Sequence, residues 1–146
     1  MDIDTEVKVA IYRAIADSGR VPTLEEVVAR TRASSSSVRD SYGRLRAKRL
    51  LLLEADGETI RMAPPFSGIP TQHHVTVDGI TYFANCAWDA LGIPAALRRP
   101  GTVRSRCEQS MEPLHLRVGE DGPEPSSWLF HCLVPAARWW DDLVFT

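Results

Sequence analysis

The chain has 146 residues, of which 44% are hydrophobic and 25% charged, with a formal net charge of −2. That length supports one domain of ordinary size or two very small ones with a buried core, and the composition excludes wholesale disorder. No apolar run reaches the roughly 18–20 residues of a membrane-spanning helix, and the acidic start Met1-Asp2-Ile3-Asp4 does not read as a secretory signal; a cytoplasmic protein without membrane contact is expected. Cys86, Cys107 and Cys132 are its only cysteines, and this odd number argues for reduced thiols over a disulfide framework.

From Asp4 to Ala16 the apolar residues Val7, Val9, Ala10, Ile11, Ala14 and Ile15 recur at helical spacing, and Asp17-Ser18-Gly19 ends the helix. Thr23 is a good N-cap for a second helix, with Glu26 completing a capping box and Val27, Val28 and Ala29 supplying the buried face. A third helix is predicted from about Ser35 to Lys48, with Val38, Tyr42 and Leu45 inward. Leu50–Glu54 and Glu58–Met62 read as strands joined by the hairpin signal Ala55-Asp56-Gly57. Three helices and a β-hairpin are the order of a winged helix-turn-helix, which assigns residues 1–63 to a winged-helix-like module. Arg30, Arg32, Arg39, Arg44, Arg46, Lys48 and Arg49 face a single acid, Asp40, along this stretch. Such a basic stripe suits a DNA-recognition helix, although a solvated face on a packing module produces the same pattern and is the favoured reading.

Ala63-Pro64-Pro65-Phe66-Ser67-Gly68-Ile69-Pro70 reads as a linker, placed at 64–72, because prolines oppose regular structure. A second module, 73–146, opens with His74–Val77, the turn Asp78-Gly79 and Ile80–Phe83, another hairpin. Ala84 to Leu97 has helical character that Gly92 and Pro94 would break or kink. Gly101–Cys107, Leu114–Val118 and Ser127–Val134 read as strands, Glu120–Ser126 as a loop and Ala136–Trp140 as a short helix. The fold class expected is therefore α+β.

Cys86 and Asp89 lie three apart, a spacing that puts thiol and carboxyl on one helix face. A helix N-terminus lowers a thiol's pKa, and an apolar wall including Trp88 would exclude water and raise the carboxyl's, keeping it a proton donor. Spacing alone favours the plainer reading, a buried cysteine acting as a small hydrophobe and an aspartate at a helix end. Cys107 and Cys132 have no CxxC or CxxH spacing, which argues against structural zinc. His131 and Cys132, as neighbours on a strand, would face opposite ways. His73-His74 reads as a surface loop or linker pair, His115 has no evident partner, and Trp139-Trp140 reads as packing. Neither a nucleophile elbow nor a phosphate-binding glycine loop is present.

The segment Tyr82-Phe83-Ala84-Asn85-Cys86-Ala87-Trp88-Asp89-Ala90-Leu91-Gly92-Ile93-Pro94-Ala95 resembles the core motif of the organomercurial (alkylmercury) lyases, in which an aromatic-rich strand runs into Cys-Ala-x-Asp-x-Leu, an apolar residue and proline. Val103-Arg104-Ser105-Arg106-Cys107 is similar to the family's following strand with its second cysteine. Ser127-Trp128-Leu129-Phe130-His131-Cys132 is similar to the later aromatic strand bearing the third. The likeness spans about residues 60–134 and implies a small mixed α/β lyase domain behind a winged-helix-like module. It implies that Cys86 and Cys132 bind the mercury of an organomercurial, that Asp89 protonates the leaving carbon, and that Cys107 is a buried structural thiol. Soft thiolates are the preferred ligands of a soft ion. No bound cofactor is then expected; the substrate is a small organometal, and cytosolic thiols would accept the mercury product. Two other readings remain open: a soft-metal sensor that contacts DNA through the helix from Ser35 to Arg49, and a lyase-fold relative with different chemistry or metal binding alone.

Overall fold

The computed structural model describes residues 1–143. Helix α1 (Ile3–Ser18) begins where the Asp2 carboxylate accepts the Thr5 N–H. It ends at Gly19, which takes the left-handed conformation (φ 76°) that glycine adopts without a Cβ penalty. Helix α2 (Leu24–Thr31) carries the complete Thr23–Glu26 capping box, and α3 (Ser35–Ala47) is capped by Ser34. Val7, Ile11, Ile15, Val27, Val38, Tyr42 and Leu45 pack between the three helices.

Three short strands follow, β1 (Leu52–Leu53), β2 (Ile60–Ala63) and β3 (Phe66–Ser67), in an antiparallel sheet of that order. The proline-rich segment read as a linker is thus part of the sheet. Pro64-Pro65, joined by a cis peptide bond, makes the turn, and the next two residues pair back, Phe66 with Ala63 and Ser67 with Met62. The prolines lack N–H donors only at their own positions. Phe66, 3% exposed, is held by ring contacts to Tyr12 and Tyr82.

The second sheet comprises β4 (His74–Val77), β5 (Ile80–Phe83), β6 (Gly101–Arg106), β7 (Pro113–Gly119) and β8 (Gly122–Pro123), all antiparallel in the order β5-β4-β6-β7-β8. Val75 opposes Val103, which opposes Leu116, so the alternating apolar residues share one face. Helix α4 (Ala87–Leu97) connects β5 to β6 and buries Ala90, Ile93 and Pro94. It runs through Pro94, where a break or kink was expected, and stops at Arg98 (φ 54°). Pro94 sits on the buried face close against Gly101, where an added Cβ would stand 3.1 Å from the proline ring.

The strand expected over Ser127–Val134 does not form; the segment is irregular and leads into a 3-10 helix, Ala136–Asp141. Among the described residues nothing pairs with it, and Leu129 and Leu133 remain 91% and 74% exposed. Alternating apolar residues make a strand only when a sheet edge receives them.

One hydrophobic cluster runs from Val7 on α1 to Val118 on β7. The Tyr82 hydroxyl donates to the Ala16 carbonyl (2.7 Å), and Tyr12 donates to that of Pro64 (2.7 Å). Phe66 also bridges to Ala84. These contacts bring the proline turn against the start of α4. Among the described residues no helix is long and apolar enough to cross a membrane.

Candidate active site

Cys86 is the N-cap of α4, with extended backbone (φ −150°, ψ 177°), and its sulfur accepts the Asp89 N–H at 3.5 Å. The motif spacing therefore folds as a cap: the residue before the helix and the third residue within it meet across the first turn. The thiol and the Asp89 carboxyl are also close enough to hydrogen-bond. Both groups are half-buried. Burial raises the Asp89 pKa, opposed by hydrogen bonds from Asn85 and Cys86.

Burial raises the Cys86 pKa too, more than the backbone N–H groups of the helix start lower it. This reverses the expectation of a thiol acidified by the helix N-terminus. Desolvation penalises the thiolate more than the Asp89 and Trp88 N–H groups stabilise it, and the neighbouring Asp89 charge adds to the rise.

The wall that shields the pair also differs from expectation. Trp88 is 55% exposed and packs outward on Phe130, with ring centroids 5.6 Å apart. Shielding comes from the other side, where the proline turn and Tyr12 approach. Burial raises the Tyr12 phenol to about 12, with a further contribution from the nearby Asp89 charge. Asn85 joins the two sides: its amide donates to Asp89 Oδ2 (3.1 Å) and lies 3.4 and 3.5 Å from the carbonyl oxygens of Pro65 and Phe66. Sequence reasoning missed Asn85 and Tyr12 as site residues. The i, i+4 spacing of Asn85 and Asp89 was a visible signal, whereas the contact with β3 was not.

Cys132 is exposed and donates to the Val134 carbonyl within its own segment (2.8 Å). The Trp88–Phe130 contact brings that segment across the first turn of α4. Cys107, expected to be a buried structural thiol, is only partly covered and lies in the turn after β6. Its sulfur accepts the Ser110 N–H (3.5 Å), and hydrogen bonds from Ser110 and Gln109 lower its pKa. A short strand end cannot bury what lies beyond its last ladder pair, Arg106 with Pro113.

The histidine pair is likewise not a surface loop. His73 is 9% exposed with Nδ1 at 2.7 Å from Ser105 Oγ, and burial lowers its pKa. His74 begins β4, its Nε2 at 2.7 Å from the Thr71 carbonyl and its ring edge-on to Phe83. A cleft of about 580 Å3 lined by Pro70, Thr71, Gln72, His73, Asn85, Arg106 and Glu108 opens beside them. On the first module, Arg30, Arg39, Arg44 and Lys48 of the basic stripe are ion-paired with Asp17, Glu58 and Asp4.

The family model for alkylmercury lyase (MerB) matches residues 66–146. The chain belongs to the alkylmercury lyase family. Alkylmercury lyases of Bacillus cereus and Clostridium butyricum are each 40% identical to it over 70 residues, which is 46% of this chain and 32% of those proteins. That of Streptomyces lividans is 38% identical over 71 residues, 47% of this chain and 33% of its own length. The chain thus spans about a third of the curated relatives it matches. A crystal structure described as the mercury-bound form of MerB2 superposes with a TM-score of 0.59 at 24% identity, covering 84% of this chain and 68% of that one. This likeness extends the shared α+β fold beyond the matched family segment and into the helical module.

Proposed function

We propose that this lyase-family chain cleaves carbon–mercury bonds by protonolysis, with Cys86 as the sulfur that takes the metal and Asp89 as the acid that protonates the carbon. The observation that carries the reading is the meeting of a half-buried thiol and a half-buried carboxyl on one helical turn. The Cys86 thiol bonds to mercury and gives its proton to the Asp89 carboxylate. The carbon–mercury bond then breaks, its electron pair takes the proton from Asp89, and the hydrocarbon leaves. Mercury(II) stays on sulfur and Asp89 is again a carboxylate. The upward shift of the Asp89 pKa suits it to hold that proton between the two transfers.

Cys132 is the second sulfur of the proposal, carried over from the family resemblance and supported by the packing of its segment on Trp88. A second thiolate builds further negative charge on mercury and weakens its bond to carbon. External thiols in a reducing compartment would then take the product from the site. The paired cations of α3 favour a packing role for the helical module over DNA contact; the alternative of a soft-metal sensor that contacts DNA through this module stands or falls with DNA affinity at low salt.

The deciding measurement is hydrocarbon release from phenylmercury in excess thiol. Cys86→Ala should abolish release, and Asp89→Ala should slow it by roughly 100-fold or more, as loss of a general acid does. Cys132→Ala should also abolish it; undiminished release from that variant would remove Cys132 from the site. Wild-type protein that binds mercury but releases no hydrocarbon would end the lyase reading.

A further inference from the structure

Asn85 immediately precedes the reacting turn, and its amide has only one workable orientation. Three oxygens surround Nδ2: Asp89 Oδ2 at 3.1 Å and the Pro65 and Phe66 carbonyls at 3.4 and 3.5 Å. Backbone carbonyls only accept, so the amide must present its N–H groups to them. Turning the amide over would set Oδ1 against both carbonyl oxygens. The amide keeps this orientation although it leaves Oδ1 buried without a hydrogen-bond partner, a costly arrangement unless the donors are well used.

We propose that Asn85 is a positioning residue for proton delivery: anchored to β3, its amide aims the Asp89 carboxyl and stabilises the carboxylate that remains once the proton has moved to carbon. This rests on the protonolysis reading. Fixed to donate, Asn85 cannot accept a hydrogen bond from protonated Asp89, so it favours the ionised state. Burial acts the other way and retains the proton until a carbon with a developing pair of electrons takes it. When the Asp89 O–H bond breaks and the C–H bond forms, the electrons left on Asp89 meet a donor already in place. Such an interaction strengthens along the reaction and so raises the rate of the chemical step more than it raises binding. The anchor is tertiary: β3 comes from the proline turn, so the first sheet determines the geometry of the acid on α4.

The test compares wild type with Asn85→Ala and Asn85→Leu, the second filling the space without a donor. Carbon-13 NMR titration of the Asp89 carboxyl in mercury-free protein should show its pKa higher in both variants. With phenylmercury and excess thiol, kcat should fall about tenfold to hundredfold, as for loss of a hydrogen bond to a charged group, with KM unchanged. An unchanged Asp89 pKa in either folded variant overturns the proposal, as does a fall in activity carried by KM alone. A wild-type protein without hydrocarbon release overturns the lyase reading instead, while the titration, which needs no mercury, still decides the Asn85–Asp89 bond.

Discussion

Asp89 and Cys86 both hold their protons to higher pH than they would in water, because each charged form has lost solvent. For Asp89 the consequence reaches stability. The unfolded chain releases this proton near the ordinary aspartate value of 3.8, the folded chain at higher pH, so the folded state is increasingly penalised as pH rises between the two values. The Tm of Asp89→Asn relative to wild type should therefore climb through that window and then level off; a difference independent of pH would contradict the burial of the carboxyl. The two thiols with shifted pKa values should separate by reactivity. Cys107, lowered by its turn hydrogen bonds, should be alkylated by iodoacetamide before Cys86, raised and half-buried. Peptide mapping over a time course at neutral pH reads this order directly.

At the scale of elements, the helix ends carry identifiable stabilisation. Thr23→Ala removes a capping-box acceptor on α2 and should cost about 1 kcal/mol in chemical denaturation. Gly19→Ala should cost more. The position needs a left-handed backbone, which costs alanine roughly 1–2 kcal/mol, and the added Cβ would stand 2.4 Å from the Thr81 carbonyl oxygen. That approach is where the end of α1 touches β5. Much at this scale was legible beforehand. The capping box of α2, the hairpin at Asp78-Gly79 and the Cys86–Asp89 spacing depend on residues a few positions apart, and all three are present. Two elements were misread: β3, where the Pro64-Pro65 turn folds Phe66 back on Ala63 only three positions away, and Ser127–Val134, left irregular because no sheet edge receives it.

Over the whole molecule, the helical half and the lyase half share a core. Val7 and Val118 belong to one apolar cluster, and Tyr82 ties β5 to the last turn of α1. All four tryptophans lie between Trp88 and Trp140, whereas α1, α2 and α3 carry most of the helix. Tryptophan fluorescence and far-UV circular dichroism thus report on different halves and should give coincident thermal transitions; separated midpoints would mean that the halves unfold independently. Tyr82→Phe, which removes one hydrogen bond across the junction, should lower both midpoints together by a few degrees, corresponding to about 1 kcal/mol.

The amino-acid sequence by itself determined the first three helices, the capping box of α2, the Asp78-Gly79 hairpin, the Cys86–Asp89 motif and the family, because each is written in neighbouring residues or in the identity of a short segment. Only the tertiary structure decided which groups are dry. It placed Trp88 outside, left Cys107 and Cys132 accessible, buried His73, and brought the proline turn with Tyr12 and Asn85 against the acid. Burial and hydrogen-bond partnership are set by residues many positions apart in the chain, so the proton affinities on which the proposed chemistry depends are properties of the assembled fold.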